Sequence, residues 1–327
     1  MANMSEMKDS ALNQQLYSVL EKTLQAGVIE QRRKRRWGIF FKILFAIYFL
    51  FVIALITAGP MLADQQKYLD DNGEPLTAYT AVIRIEGEIA ASTDASADKI
   101  ISALKKAFND PKATAIVLRI NSGGGSPVQS GYVYDEINRL KALHSKKVYA
   151  VIMDIGASGA YYIASAADEI YADRASLVGS IGVTAASFGF VDAMHKLGVE
   201  RRLYTSGEHK AFLDPFSPQN ASETDFWKNV LNTVHLQFID AVKKGRGDRL
   251  QNNPELFSGL IWSGEQALPL GLIDGLGSTS SLARDVIKAP ALVDFTVEET
   301  GLSRFMKKIG TQALTGLFTS ANTVQLR

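Results

Sequence analysis

Three short glycine-rich turns carry the residues of this sequence whose types and spacing could do chemistry. They are Asn121-Ser122-Gly123-Gly124-Gly125-Ser126, Asp154-Ile155-Gly156-Ala157-Ser158-Gly159-Ala160, and the loop from Thr205 to Phe216, TSGEHKAFLDPF, in which Lys210 stands among apolar residues. Glycine backbone can approach a ligand closely, so the first turn can cradle a phosphate or aim an N–H at a developing oxyanion. It lacks the lysine and second-glycine spacing of a P-loop and the wider spacing of a dinucleotide loop. In the second turn a serine sits between small residues where an apolar run gives way to a helical pattern. That setting resembles a nucleophile elbow, with Ala160 breaking the G-x-S-x-G form, and Gly159 could offer its N–H to an oxyanion. Taken alone, a serine there is more often an N-cap than a nucleophile, and a loop lysine is usually a solvated surface charge.

The elements that must position these residues read as an alternation. Short Val- and Ile-rich runs at Ala81–Ile85, Ala115–Ile120, Val148–Met153 and Glu169–Ala172 are separated by helical patterns at Ala97–Asn109, Val128–Leu143 and Gly159–Ala166. Apolar runs linked by helices indicate βαβ crossovers and a buried parallel sheet, an α/β fold with flanking helices. The three turns are each expected just past a strand's C-terminal end, where open α/β sheets place ligand sites, which points to one site. A long helix at about Glu223–Lys243 carries Phe226, Val230, Val234 and Phe238 on one stripe, suited to covering a core or a neighbouring subunit.

Ahead of this domain, Trp37 to Ala58 is almost wholly apolar, with Lys42 its one charge. At 1.5 Å per residue the run can cross the ~30 Å hydrocarbon layer as a transmembrane helix. Arg32-Arg33-Lys34-Arg35-Arg36 precedes it, and Asp64, Asp70, Asp71 and Glu74 follow. The positive-inside rule places the N-terminus in the cytoplasm and everything after about residue 60 outside. The expected organisation is a cytoplasmic segment over 1–36, a transmembrane helix over 37–58, a linker over 59–78, a catalytic domain over 79–288 and a C-terminal extension over 289–327, with an amphipathic helix around Leu302–Phe318. Lys+Arg 35 against Asp+Glu 34 gives no electrostatic case for nucleic acid. With no cysteine, a thiolate nucleophile or metal site is excluded. No clustered His and carboxylate spacing suggests another metal.

INSGGGSPVQSG, GASGAYYIASAAD, VGSIGV, SGEHKAFLDPF and FSGLIWSGEQALPLGLIDGLGS, in that order over roughly residues 80–280, closely resemble the signal peptide peptidase A family of Ser-Lys peptidases. The resemblance implies a Clp protease/crotonase-like fold, no cofactor, and an endopeptidase that degrades cleaved signal peptides at the extracytoplasmic face of the inner membrane. By position, Ser158 matches the nucleophile and Lys210 the general base. Ser180 matches the serine that orients the lysine amine, and Gly125 and Gly159 match the oxyanion-hole donors. Gly123 departs from the family, which usually has proline there. Short members resemble units of homo-oligomers, in which Lys210 can act within a subunit or across subunits. The base must be neutral to accept a proton, whereas an ordinary lysine near pKa ~10.4 is neutral in only about one molecule in 2500 at pH 7. The resemblance therefore requires a site that desolvates the amine.

Two other classes remain open on sequence: a non-catalytic membrane scaffold, and an acyl-CoA binder of crotonase-like fold. A Ser-His-Asp triad would need one of His144, His195, His209 or His235, of which only His209 is near the candidate residues in sequence.

Overall fold

The structure, a computed structural model, describes residues 3–70 and 72–297 in two units, Met1–Gln66 and Lys67–Arg327. The first unit is one unbroken helix, α1 (Asn3–Gln66). From Trp37 to Leu55 its large apolar side chains are exposed on every side, as with Phe45 and Leu50 at 68% and 65% exposure. A helix that is apolar all round suits lipid rather than water. Among the described residues it is the one helix long and apolar enough to cross a membrane.

In the second unit, β1 (Tyr79–Glu86), β2 (Ala113–Ser122) and β3 (Val148–Ala157) are parallel neighbours. Their apolar runs are buried on both faces, as parallel sheets require. α2 (Ala97–Asn109) buries Ile100, Ala103, Leu104, Ala107 and Phe108, the i, i+3, i+4, i+7 spacing of a core-facing stripe. α3 (Pro127–Leu143) starts at Ser126, whose hydroxyl accepts the Gln129 N–H, with Pro127 at the first helical position.

The sheet forks at β3. Its first half pairs with β4 (Glu169–Ala172) and its last three residues pair with β5 (Leu177–Gly179). Between them the β2–β3 register slips, from Ile120 opposite Ile152 to Ser122 opposite Gly156. A Cβ on Gly156 would stand 2.7 Å from the Ile152 side chain, so only glycine permits this turn. β6 (Ile261–Ser263) then joins β5 antiparallel, and β7 (Gly275–Leu276) joins β4.

α4 (Gly159–Ala164) follows β3 directly. α5 (Val191–Leu197) has no buried residue, and α6 (Ala221–Arg246) buries only Phe238, Ala241, Val242 and Arg246 from its C-terminal half. The Arg246 guanidinium, fully buried, forms a fork with Asp274 at 2.6 and 3.0 Å. Residues 183–220 and the first half of α6 thus form an arm with little core of its own.

The observed boundaries differ from those expected at three places. Helix α1 runs through residues 59–66, which were expected as linker, and the N-terminal segment is continuous with the apolar stretch. Tyr68 and Leu76, also in that expected linker, pack on the core of the domain. β8 (Leu292–Asp294) pairs with β1 and Val293 is buried, so residues expected as a C-terminal extension from 289 belong to the sheet. The helix expected at Leu302–Phe318 lies outside the described residues.

Candidate active site

Ser158 is the last link between β3 and α4, and its backbone is unusual. At φ 54° and ψ −126° it occupies a region that side chains rarely adopt, at a cost of about 1–3 kcal/mol. Its main-chain N–H donates to the Gly179 carbonyl at 2.8 Å. Although Ser158 holds the N-cap position of α4, its hydroxyl caps nothing. Half-buried and without a hydrogen-bond partner among the described residues, that hydroxyl is free to react.

The loop after β2 is pressed against this turn. Gly124 has φ +100°, and a Cβ there would lie 2.7 Å from the Gly159 nitrogen, 2.8 Å from the Ala157 oxygen and 2.8 Å from Ser158 Cβ. Behind it, Ile89 donates its N–H to the Gly124 carbonyl at 3.0 Å and accepts the Ser126 N–H at 2.8 Å. A Cβ on Gly125 would come within 2.2 Å of the Ile89 oxygen, and one on Gly159 within 2.5 Å of Ser130 Oγ and 3.3 Å of the Gly125 nitrogen. Gly125 and Gly159 therefore flank Ser158 closely, and among the described residues neither N–H has an acceptor. Two unpaired donors beside a free hydroxyl are what an oxyanion formed at that hydroxyl would need.

Ser180 lies one residue past the carbonyl that holds Ser158. It too has a positive φ, 49°, and its N–H donates to the Leu260 carbonyl at 2.8 Å. The end of β5 thereby holds Ser158 through the Gly179 carbonyl, and Leu260, just ahead of β6, holds Ser180.

Lys210 lies apart from this group. It is exposed, in a turn where its N–H donates to the Gly207 carbonyl at 3.2 Å. Among the described residues no hydrogen bond joins it to Ser158 or Ser180, and it does not line the cleft beside Ser158. The surrounding arm is exposed and apolar: Tyr204 is 88% exposed, Phe188 79% and Leu197 77%. Arg201 pairs with Asp214 across this loop, and with help from the Ser217 hydroxyl it pulls the Asp214 carboxyl down to about 2.

A cleft of about 610 Å³ opens from Ser158, Gly159 and Gly125. Tyr132 and Tyr162 line it, with Trp227 and Phe238 from α6, and no histidine does. Tyr162 stacks on Phe238 at 4.9 Å between ring centres. Burial, then the charge of Asp135, raises the Tyr162 hydroxyl above its ordinary range, so it stays neutral. His235 instead contacts the Ile181 carbonyl at 3.0 Å, and His209 stands 3.5 Å from Glu223.

Sequence reasoning passed over Gly124, Ile89 and Gly179, which hold the two turns together, and Ser130, which backs Gly159. The glycine before Ser180 in VGSIGV was a visible signal for one of them. Nothing local marks Ile89.

Comparison with known proteins bears on the same stretch. Residues 141–292, which include Ser158, Ser180 and Lys210, match the model of peptidase family S49. The "Putative protease slr0021" of Synechocystis is 33% identical over 199 residues, covering 61% of this chain and 69% of that one. The "Putative signal peptide peptidase SppA" of Enterococcus faecium is 30% identical over 199 residues, 61% of this chain and 58% of that one. A Brucella melitensis protein named "Na(+)/H(+) antiporter NhaA" is 52% identical over 181 residues, 55% of this chain. The match spans 25% of that longer protein's length.

Proposed function

This chain belongs to peptidase family S49, and on that premise we propose that it is a membrane-anchored serine endopeptidase in which Ser158 is the nucleophile and Lys210 the general base. The observation that carries the reading is the Ser158 hydroxyl, which stands at a helix N-cap, caps nothing, and shares a cleft with Gly125 and Gly159, whose N–H groups have no acceptor among the described residues. Attack by Ser158 Oγ on a peptide carbonyl would place the developing charge between Gly125 and Gly159. Ser180 then orients the lysine amine that takes the serine's proton.

The exposure of Lys210, on an arm rich in unburied aromatic and aliphatic side chains, favours delivery of the base by a neighbouring copy of the chain. Soluble proteins rarely leave so much contiguous apolar surface open, and a contact between copies would bury the arm and desolvate the amine together. Homo-oligomerisation is thus part of the mechanism. The basic run Arg32–Arg36 before the apolar helix supports an N-terminus in the cytoplasm and the peptidase domain, taken as 79–288, outside the inner membrane. Peptides lying at the membrane, cleaved signal peptides above all, suit a peptidase tethered there. The relative from Enterococcus faecium bears that activity in its name.

The test is hydrolysis of fluorogenic peptides by full-length protein in detergent. Ser158→Ala and Lys210→Ala each lose on the order of 10⁴-fold or more in kcat while remaining folded. Co-assembled, the two variants regain part of the activity, because some Ser158 sites then receive an intact Lys210 from a neighbour. Undiminished hydrolysis by Lys210→Ala would sink the dyad, and mixed assemblies as inactive as their parents would place the base within one subunit.

A further inference from the structure

The cleft beside Ser158 is walled by apolar and aromatic side chains, and among the described residues that line it Asp135 is the one charged group. α3 presents it there. Pro127, Gly131 and Asp135 at i, i+4, i+8, with Val128 and Tyr132 beside them at i+1 and i+5, fall on one face of the helix, and all line the cleft. The adjacent acid is handled differently. Glu136 is held by Arg139 at 2.7 Å and 2.8 Å and lies 3.6 Å from Lys105, and these cations keep its carboxyl below the usual range. Asp135 has no cation and no hydrogen-bond donor among the described residues. Its charge is felt inside the cleft wall, where it adds to the burial that raises the Tyr162 and Tyr134 hydroxyls.

Asp135 is exposed, so its carboxylate is hydrated and, among the described residues, unpaired on an otherwise neutral lining, open to a cation that a bound peptide brings. From the dyad reading above, on which this step rests, we infer that Asp135 is a specificity-determining residue that selects a lysine or arginine side chain in the bound peptide. Tyr132 and Tyr162 give the methylene stem of such a side chain an apolar bed and its charged head aromatic faces. At 1.5 Å per residue, Asp135 lies about 12 Å along α3 from Pro127 beside the reacting centre. An extended peptide rises about 3.3 Å per residue, so the carboxylate comes level with a side chain roughly three or four residues from the scissile bond, or with the tip of a long one nearer to it.

The experiment uses full-length protein in detergent and pairs of fluorogenic peptides that differ only in lysine against norleucine, placed in turn at each of the positions preceding the scissile bond. Norleucine keeps the length and removes the charge. The expected result is a lysine preference at one position, on the order of five- to tenfold in kcat/KM at low ionic strength and shrinking as salt is added. Asp135→Asn brings that ratio to about one, and Asp135→Lys shifts the preference to glutamate at the same position. Ser158-dependent cleavage with no lysine preference at any position, or a preference that survives Asp135→Asn, would overturn the inference alone. Cleavage that survives Ser158→Ala would overturn the dyad reading, and this inference with it.

Discussion

The main-chain N–H of Ser158 donates to the carbonyl of Gly179 at 2.8 Å, which locks the strained turn after β3 onto the edge of β5. The residue that follows β5 is Ser180, itself at positive φ. The fork of the sheet at β3 makes this possible, because only the last three residues of β3 reach β5. One hydrogen bond therefore couples the geometry of the proposed nucleophile to that of the proposed base-orienting serine.

Gly124 should tolerate no side chain. A methyl group there would meet the Gly159 nitrogen, the Ala157 oxygen and Ser158 Cβ at 2.7–2.8 Å, all belonging to the proposed reacting turn. Gly124→Ala is expected to lower kcat by about 10²–10³-fold, the size of losing an oxyanion donor, with KM little changed. Steady-state kinetics on a folded variant checks this, and wild-type kcat would show that the turn can yield.

Ser180 separates strain from function. Its φ of 49° favours glycine, so Ser180→Gly relieves a left-handed residue worth about 1 kcal/mol. Thermal unfolding should show a Tm held or slightly raised while kcat falls, because the hydroxyl proposed to orient the amine is gone. Equal activity in Ser180→Gly would remove Ser180 from the mechanism.

Most of the layered core was legible in sequence because parallel strands are continuous apolar runs and α2 carries a strict 3.6-residue stripe. β5, β6 and β8 were not, since three-residue strands are decided by the partner they pair with rather than by local propensity. The site was legible in part. Glycine-rich turns at strand ends drew attention to Gly125, Ser158 and Gly159, but no sequence signal distinguishes a serine that caps a helix from one held at φ 54° with its hydroxyl free. Lys210 is the opposite case. Its loop is exposed and buries little of its own chain, so nothing in the local sequence or packing marks its amine as a base.

The pair of Arg246 and Asp274 should govern acid stability without touching chemistry. Burial alone would raise the Asp274 carboxyl, but the Arg246 fork and the Ile170 N–H outweigh it and leave the group below its ordinary value. A depressed folded pKa contributes stability that is present above the unfolded carboxyl pKa of ~3.9 and is lost as pH falls through the folded value. Arg246→Ala leaves that half-buried carboxylate with Arg249 at 3.1 Å as its remaining cation, and is expected to cost about 3 kcal/mol at neutral pH, the low end for breaking a buried pair. Denaturant unfolding from pH 7 down to pH 3 measures both. The deficit of the variant should narrow at the acid end of that range, where protonation removes the charge that has lost its main partner.

The central claim, that Ser158 is the nucleophile, is tested most directly by reacting the folded, detergent-solubilised full-length protein with a fluorophosphonate and mapping the adduct by peptide mass spectrometry. The account predicts one adduct, on Ser158, absent from Ser158→Ala and strongly slowed in Lys210→Ala. A folded protein that hydrolyses peptides yet carries no adduct at Ser158 would contradict it.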